Sequence, residues 1–353
     1  MLELDPYREL PNPGETALIE IRPSVAVIGA GIAGLTAARL LAERGYPITV
    51  FDKGFRPGGR ASTRMEGAYA FDHGCQYFTA RDETFRRYVE SWMDRNIISI
   101  WPARRASCIR GSTTLVTDDV TRYVGVPGMN AIAQHLANGL DVRQGVHVTG
   151  ISKNDRGWRL TCEPQSTDRQ FEILVVAIPS EQAAGLLRGA TSLATEVENV
   201  AMQPCWSVMA VFDFDIDAPF DAAHFISSPL VWAANDGSKP GRAGNECWVL
   251  HASPAWTRDH LDDHSDVVAE LLLKAFFETS GIPPVKPKQL RAHRWRFASP
   301  EIPLQVGCLW HANDGVGVCG DWCHSARIQG AFLSGLKIAE RIIDDRPRSC
   351  MPI

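Results

Sequence analysis

Long apolar runs are missing from this chain: none reaches the ~20 residues that a membrane-spanning helix needs. The N-terminus, MLELDPYRELPNPGETALIEIRP, also lacks the charged-then-apolar layout of a secretory leader. Residues 1–23 therefore read as an N-terminal extension, and the protein reads as cytoplasmic. Positive charge is not in excess. A formal net charge of -5 leaves no electrostatic footprint for nucleic acid or anionic lipid, although it says nothing about a single cleft. No Cys-x-x-Cys pair occurs. The nine cysteines (Cys75, Cys108, Cys162, Cys205, Cys247, Cys308, Cys319, Cys323 and Cys350) are odd in number and irregular in spacing, which suits reduced thiols. Cys319 and Cys323 stand near His324, but zinc would need two further ligands at suitable spacing, so no metal is expected. Internal repeats and low-complexity segments are absent as well.

What is present is a chain of 353 residues, 45% apolar, long enough for two domains and a well-buried core. Ser24 to Ile28 (SVAVI) predicts a buried parallel strand. GAGIAG and a helix follow, with Leu35, Ala38, Leu41 and Ala42 at helical spacing and Gly45 at the end. ITVFD, after Pro47, predicts the second strand of a strand–helix–strand unit. An irregular stretch is expected to about residue 120. YVGVPGMNAIAQHLANGL then predicts a loop and helix, VRQGVHVTGI a strand, NDRG a hairpin turn into WRLTCE, and FEILVVAIP another buried strand. MQPCWSVMAVFDFD and NECWVLHASPAW alternate as half-exposed antiparallel strands do. DVVAELLLKAFFETSG predicts a helix, and AHRWRFASP and GVGVCGDW return to strand. The expected class is α/β, a Rossmann-type dinucleotide-binding domain with an inserted antiparallel-sheet substrate domain. Residues 24–95, 120–195 and 295–353 are assigned to the first domain, and 96–119 and 196–294 to the second.

Gly29, Gly31 and Gly34 form Gly-x-Gly-x-x-Gly between strand and helix. The first glycine permits the tight turn, the second lets a pyrophosphate approach the backbone, and the third lets helix and strand pack closely. The helix start, Ile32 and Ala33 included, then offers free N–H groups to a diphosphate. Asp52 ends the second strand, where a carboxylate can accept both ribose hydroxyls of an adenosine. This fingerprint alone does not separate NAD from FAD. The following stretch does: DKGFRPGGR, from Asp52 and Lys53 through Arg56, Gly58 and Gly59 to Arg60, resembles the acid-x3-Arg-x-Gly-Gly-Arg signature of the flavin amine oxidase superfamily. Two glycines allow a backbone segment to lie against a dinucleotide, and arginines can balance diphosphate charge.

Near the other end stands GDWCHSARIQGAFLSG. The same resemblance implies that Gly320 and Asp321 meet the ribityl–phosphate part of FAD and that a helix starting at Gln329, Gly330 and Ala331 points its N-terminus at the flavin ring. It also implies His147 and Val148 among the cofactor contacts. GGRASTR, FDHGCQYFTARD, YVGVPGMNAI, MQPCWSVMAVFD, WVLHASPAW and AHRWRFA join it in order along most of the chain, and together they resemble the bacterial renalase family. That family tends to carry Val-Glu where this chain has Ile328 and Gln329. The resemblance implies non-covalent FAD and a small-molecule substrate, a dihydronicotinamide dinucleotide reduced at the wrong ring carbon. It also implies O2 as acceptor; charge and the lack of apolar runs, as above, give no nucleic acid and no membrane span. Tyr77, His251, His293, Trp322 and Arg327 are candidates for the substrate face, packing beneath the ring being the alternative for Trp322, with His73 fixing a loop. Alternatives are an amine or polyamine oxidase on the same fold, which usually wants a lysine near the flavin, and a redox-responsive flavin-binding protein without turnover. Lysine is scarce in the strand segments here, and AHRW has none.

Overall fold

The computed structural model describes residues 19–164, 167, 169–242, 244, 246–345 and 349–351. Residues 1–18 of the expected extension lie outside the described residues. Its last part, Ile19–Ile21, pairs antiparallel with Ser349–Met351.

Two sheets organise the rest. The first has six strands in the order Asp141–Gln144, Ile48–Asp52, Val25–Ile28, Ile173–Val176, Val316–Val318 and Leu309–His311. Its first five strands are parallel and the last is antiparallel. Val25, Ala26 and Val27, like Leu174, Val175 and Val176, are fully buried, which is why these strands read as unbroken apolar runs rather than alternations. The fingerprint helix, Ile32–Glu43, and the late helix, Ile328–Asp345, pack on this sheet and on each other. Their contact uses small residues: a Cβ at Gly335 would lie 2.2 Å from the Ala33 carbonyl oxygen.

The second sheet has seven strands in the order Gln289–Pro300, Met202–Phe212, Glu246–Ala252, Leu230–Asn235, Ala222–Ile226, Arg105–Ile109 and Ser112–Val116. It is antiparallel except where Ala222–Ile226 runs parallel to Arg105–Ile109. Alternation divides its faces. Trp206, Val208, Ala210 and Phe212, with Trp248 and Leu250, pack with the helix Ser265–Ser280. Ser207, Met209 and Val211, with Cys247, Val249 and His251, turn to the opposite face. That helix stops at Gly281, whose φ of 79° is left-handed.

Some local expectations change. VRQGVHVTGI is two strands, not one: Gly145, at φ 68°, ends the strand Asp141–Gln144, and His147–Asn154 leaves to pair with Gly157–Glu163. The NDRG hairpin forms as expected, with Asn154 opposite Gly157. The stretch expected to be irregular holds the helix Glu83–Asp94, which buries Phe85, Val89 and Trp92. The strand Gln289–Pro300 runs continuously across the 294/295 division drawn from the sequence.

Candidate active site

A cavity of about 1260 Å³ lies between the two sheets, larger than the roughly 300–1,000 Å³ typical of drug-sized sites. One wall is the fingerprint turn, where the three glycines meet three different demands. Gly29 has φ 110°, and a Cβ on it would lie 2.5 Å from the Ala177 carbonyl oxygen. A Cβ on Gly34 would lie 2.1 Å from the Gly29 carbonyl oxygen, so Gly34 sits behind the cavity and serves helix–strand contact. A Cβ on Gly31 would meet no protein atom within 4 Å; it would stand in the cavity itself. The Gly58–Gly59 segment lies against this turn: the Gly58 N–H donates to the Ala30 carbonyl at 2.9 Å, and a Cβ on Gly59 would approach Gly31 Cα at 3.5 Å.

Asp52 lines the cavity at the end of its strand. Its carboxylate accepts the N–H of Ala30 at 2.5 Å and of Gly54 at 2.6 Å, which fixes its orientation and leaves lone pairs for ligand hydroxyls. Burial raises its pKa against the pull of those two bonds. Ile32, Ala33, Lys53, Arg56, His147 and Val148 line the same cavity. Arg60 and Asp321 pair with each other in a bidentate contact, 2.6 and 2.9 Å, and Arg60 also donates to the Ala298 carbonyl at 3.0 Å. Gly320 is held by its N–H donating to Ser334 Oγ, 2.9 Å away on the late helix.

Arg327, just before that helix, lines the cavity with Ile328 and Ala331 on it. Gln329 and Gly330 do not line it. The Gln329 side-chain oxygen turns away and accepts the N–H groups of Arg81 and Asp82 at 2.7 and 3.0 Å. A Cβ on Gly330 would lie 2.0 Å from the Ser325 carbonyl oxygen, so its smallness serves the turn before the helix rather than access to a ring. Trp322 is fully buried and donates to the Ile178 carbonyl at 3.0 Å. Tyr77 is not at the cavity. It packs with Trp232 and Trp101, at ring-centroid distances of 5.4 and 6.3 Å, under the Arg122 guanidinium.

The second sheet supplies the opposite wall, including His251 and His293. These two lie in register on either side of Ser207. Against them stands His73, from FDHG, whose ring centroid is 4.9 Å from both His293 and Trp295. The His73 carbonyl accepts two donors, His251 Nε2 at 3.2 Å and Trp295 Nε1 at 3.0 Å. Burial first, and then His293 and Arg64, push the His73 pKa down to about 3. Burial lowers His251 to about 4 and also lowers His293. All three rings are neutral near pH 7.

Behind this wall is a charge network that sequence reasoning missed. Lys239 Nζ lies 3.0 Å from Asp72 and 2.5 Å from Asp236, and Arg242 lies 2.6 Å from Asp72. The side chains of Lys239, Asp72 and Asp236 have no exposure, and Arg242 has 5%. Burial alone would raise Asp72, but Lys239 and Arg242 outweigh it and hold the carboxyl low. Thr63 Oγ1 and the Met129 N–H complete its shell at 2.7 and 3.0 Å. His73 and Trp295 were also legible only in part. Both stand in motifs quoted above, but nothing local says that they face each other.

A family model described as flavin containing amine oxidoreductase matches residues 99–343, and one described as NAD(P)-binding Rossmann-like domain matches 27–92. The chain belongs to the flavin-containing amine oxidoreductase family. Among solved structures, cyclohexylamine oxidase from Brevibacterium oxydans IH-35A is 14% identical with a TM-score of 0.74, over 92% of this chain and 99% of that one. Putrescine oxidase bound to putrescine is 12% identical with a TM-score of 0.70, over 92% and 99%. At such identities the likeness is of fold. The phytoene desaturase (neurosporene-forming) of Rhodobacter capsulatus is 46% identical over 68 residues, 19% of this chain but only 12% of that protein's length. A flavoprotein family with a Rossmann domain implies FAD as the cofactor. The residues present fit it: open space over Gly31, an oriented acid at Asp52, and cations at Lys53, Arg56 and Arg60 along one continuous cavity. Among the described residues no helix is long and apolar enough to cross a membrane, and no group of three or more ligating side chains could hold a metal.

Proposed function

We propose that this protein is a renalase-like, FAD-dependent oxidase acting in the cytoplasm on 2- or 6-dihydro isomers of NAD(P)H. The balance is one dihydronicotinamide isomer, one proton and O2 giving NAD(P)+ and hydrogen peroxide. When bound, FAD supplies the hydride acceptor and passes the electron pair to O2.

The charge of the cavity carries this reading. Lys53, Arg56, Arg60, Arg64, Arg294, Arg296 and Arg327 line it, against two acids, Asp52 and Asp321. Asp321 is already paired with Arg60, and Asp52 sits at the fingerprint end. The second-sheet wall therefore offers neutral imidazoles, since its Arg294 and Arg296 guanidinium groups are paired with Asp262, while Lys53, Arg56 and Arg327 line the cavity with no ion-pair partner among the described residues; that combination suits a planar ring attached to phosphates. An ammonium substrate would find no carboxylate there. The residues need only orient such a ring and exclude water. The lone pair of the dihydropyridine nitrogen drives hydride departure, so no strong general base is required. Histidines held at about 3 and about 4 suit that role better than proton abstraction near pH 7.

An amine oxidase is the second reading, favoured by the solved structures of that fold. The redox-responsive alternative loses its support at Cys323, which is fully buried with its thiol pushed well above the ordinary range by burial. The deciding experiment mixes oxidised enzyme anaerobically with the dihydronicotinamide isomers, with NADH, and with a panel of amines. Rapid bleaching of flavin absorbance by the isomers alone is expected. Bleaching by an amine, or by nothing, overturns the proposal.

A further inference from the structure

The hydrogen bonding of His251 fixes its tautomer. A carbonyl oxygen can only accept, so the 3.2 Å contact between His251 Nε2 and the His73 carbonyl requires the proton on Nε2. The same carbonyl accepts Trp295 Nε1 at 3.0 Å, so both its lone pairs are engaged and the imidazole is pinned to the wall. In the neutral ring the other nitrogen, Nδ1, is then a lone-pair acceptor. It has no hydrogen-bond partner among the described residues, and His251 lines the cavity.

Its setting is specific. His251 stands opposite Ser207 on the neighbouring strand, and Ser207 stands opposite His293 on the next. Further along the same face, Met209, Val211, Cys247 and Val249 form an apolar cluster with Phe71. Polar acceptor capacity on this wall is thus concentrated at one level of the sheet, and at His251 its direction is fixed by FDHG.

We infer that His251 Nδ1 is the acceptor for a primary amide N–H on the substrate ring, making this wall a carboxamide subsite. The inference rests on the proposed dihydronicotinamide reading and deepens it. Every dinucleotide of that class carries a ring carboxamide, and the carboxamide's NH2 is the one donor on the ring system that a neutral acceptor can select. A subsite built on Nδ1 discriminates by donor presence, because a donor-less analogue leaves the pinned lone pair without water or partner.

The test uses oxidised holoenzyme, NAD+ and its 3-acetylpyridine analogue, which keeps the ring carbonyl and replaces NH2 by CH3. Binding is read by calorimetry and by perturbation of the flavin spectrum, without turnover. Wild type should bind NAD+ roughly three- to tenfold more tightly than the analogue, the worth of one neutral hydrogen bond. His251→Phe should bring that ratio to about one, whereas His251→Gln, which keeps an acceptor oxygen, should retain part of it. Equal binding of both ligands by wild type, or an unchanged ratio in His251→Phe, overturns the inference and leaves the proposed function standing. Failure of wild type to bind either dinucleotide overturns both. Should the Phe variant fail to hold flavin, the tautomer is read directly from ¹⁵N–¹H spectra of histidine-labelled wild type. Protonated Nε2 is expected, and a proton on Nδ1 refutes the inference.

Discussion

Gly31→Ala should leave the folded protein intact and weaken its hold on flavin. Gly31 has φ -81° and ψ 178°, a backbone open to any residue, and a methyl there would meet no protein atom within 4 Å. Without ligand, the substitution should therefore be neutral or stabilise by up to about 1 kcal/mol through the unfolded chain. The methyl would instead occupy the space where a diphosphate closes on the helix N-terminus. Losing one charge-assisted hydrogen bond costs about 1.5–3 kcal/mol, or roughly 10- to 150-fold in affinity for FAD. The assay is paired: thermal unfolding of flavin-stripped protein, and FAD titration of the same preparation followed by fluorescence quenching. Gly34→Ala is the contrast. Its methyl would stand 2.1 Å from a backbone oxygen and 3.0 Å from Ala177 Cβ, so it should destabilise the stripped protein by about 1–3 kcal/mol. Unchanged FAD affinity in Gly31→Ala, or a loss of stability matching that of Gly34→Ala, would refute the assignment of this turn to the diphosphate.

Acid sensitivity should originate partly in the histidine wall. His73, at about 3 in the folded protein, lies below the ordinary value of 6.5, so the unfolded chain takes up the proton first. Stability is whole above pH 6.5 and falls as pH drops toward 3, by up to about 1.4 kcal/mol per pH unit from this residue. Urea unfolding at pH 7, 6 and 5 should show a shallower slope in His73→Phe, and an identical slope would contradict this. Lys239→Met should cost about 3–5 kcal/mol by leaving two buried carboxylates to Arg242 alone. Adding Asp236→Asn should recover much of that loss, and strict additivity in chemical denaturation would count against a shared network. Gln329→Glu should keep stability within about 0.5 kcal/mol, because a carboxylate can still accept from Arg81 and Asp82. Gln329→Leu should lose about 1–2 kcal/mol by thermal unfolding.

What the sequence made legible was chiefly what glycine encodes. The fingerprint and the Gly58–Gly59 pair are demands of backbone geometry, and a missing Cβ is visible in a sequence whatever the tertiary context. The resemblance that set Gly330 at the flavin-facing helix start does not see its crowding partner, the Ser325 carbonyl, which lies in a turn that spacing alone does not shape. Tyr77 was misplaced by a matter of facing. Within FDHGCQYF, residues His73, Gly74 and Cys75 reach the cavity, and Tyr77 goes to the aromatic cluster. The helix Glu83–Asp94 had readable signals, an Asp82 side chain capping the Phe85 N–H at 3.0 Å and apolar residues at 85, 89 and 92. The charge network had none. Lys239 finds Asp72 across 167 residues, and a Ser-Lys-Pro-Gly-Arg stretch reads as a solvated turn.

That hidden network also bears on the wall in front of it. Asp72 immediately precedes His73, and an unpaired carboxylate there would draw a proton onto the imidazole. Asp72 does pull in that direction, but burial first, and then His293 and Arg64, outweigh it. The ring therefore stays neutral although an acid is its chain neighbour. At His251 the network acts directly: beside burial, which dominates, the charge of Lys239 opposes protonation. Two positive and two negative charges, buried together, add no net charge beneath the cavity floor, so the field that a ligand meets comes chiefly from the lining cations that make no ion pair among the described residues, Lys53, Arg56 and Arg327. Net charge of the whole chain and charge of the cavity thus take opposite signs, and the separation depends on burying acids in pairs with bases rather than leaving them on the wall.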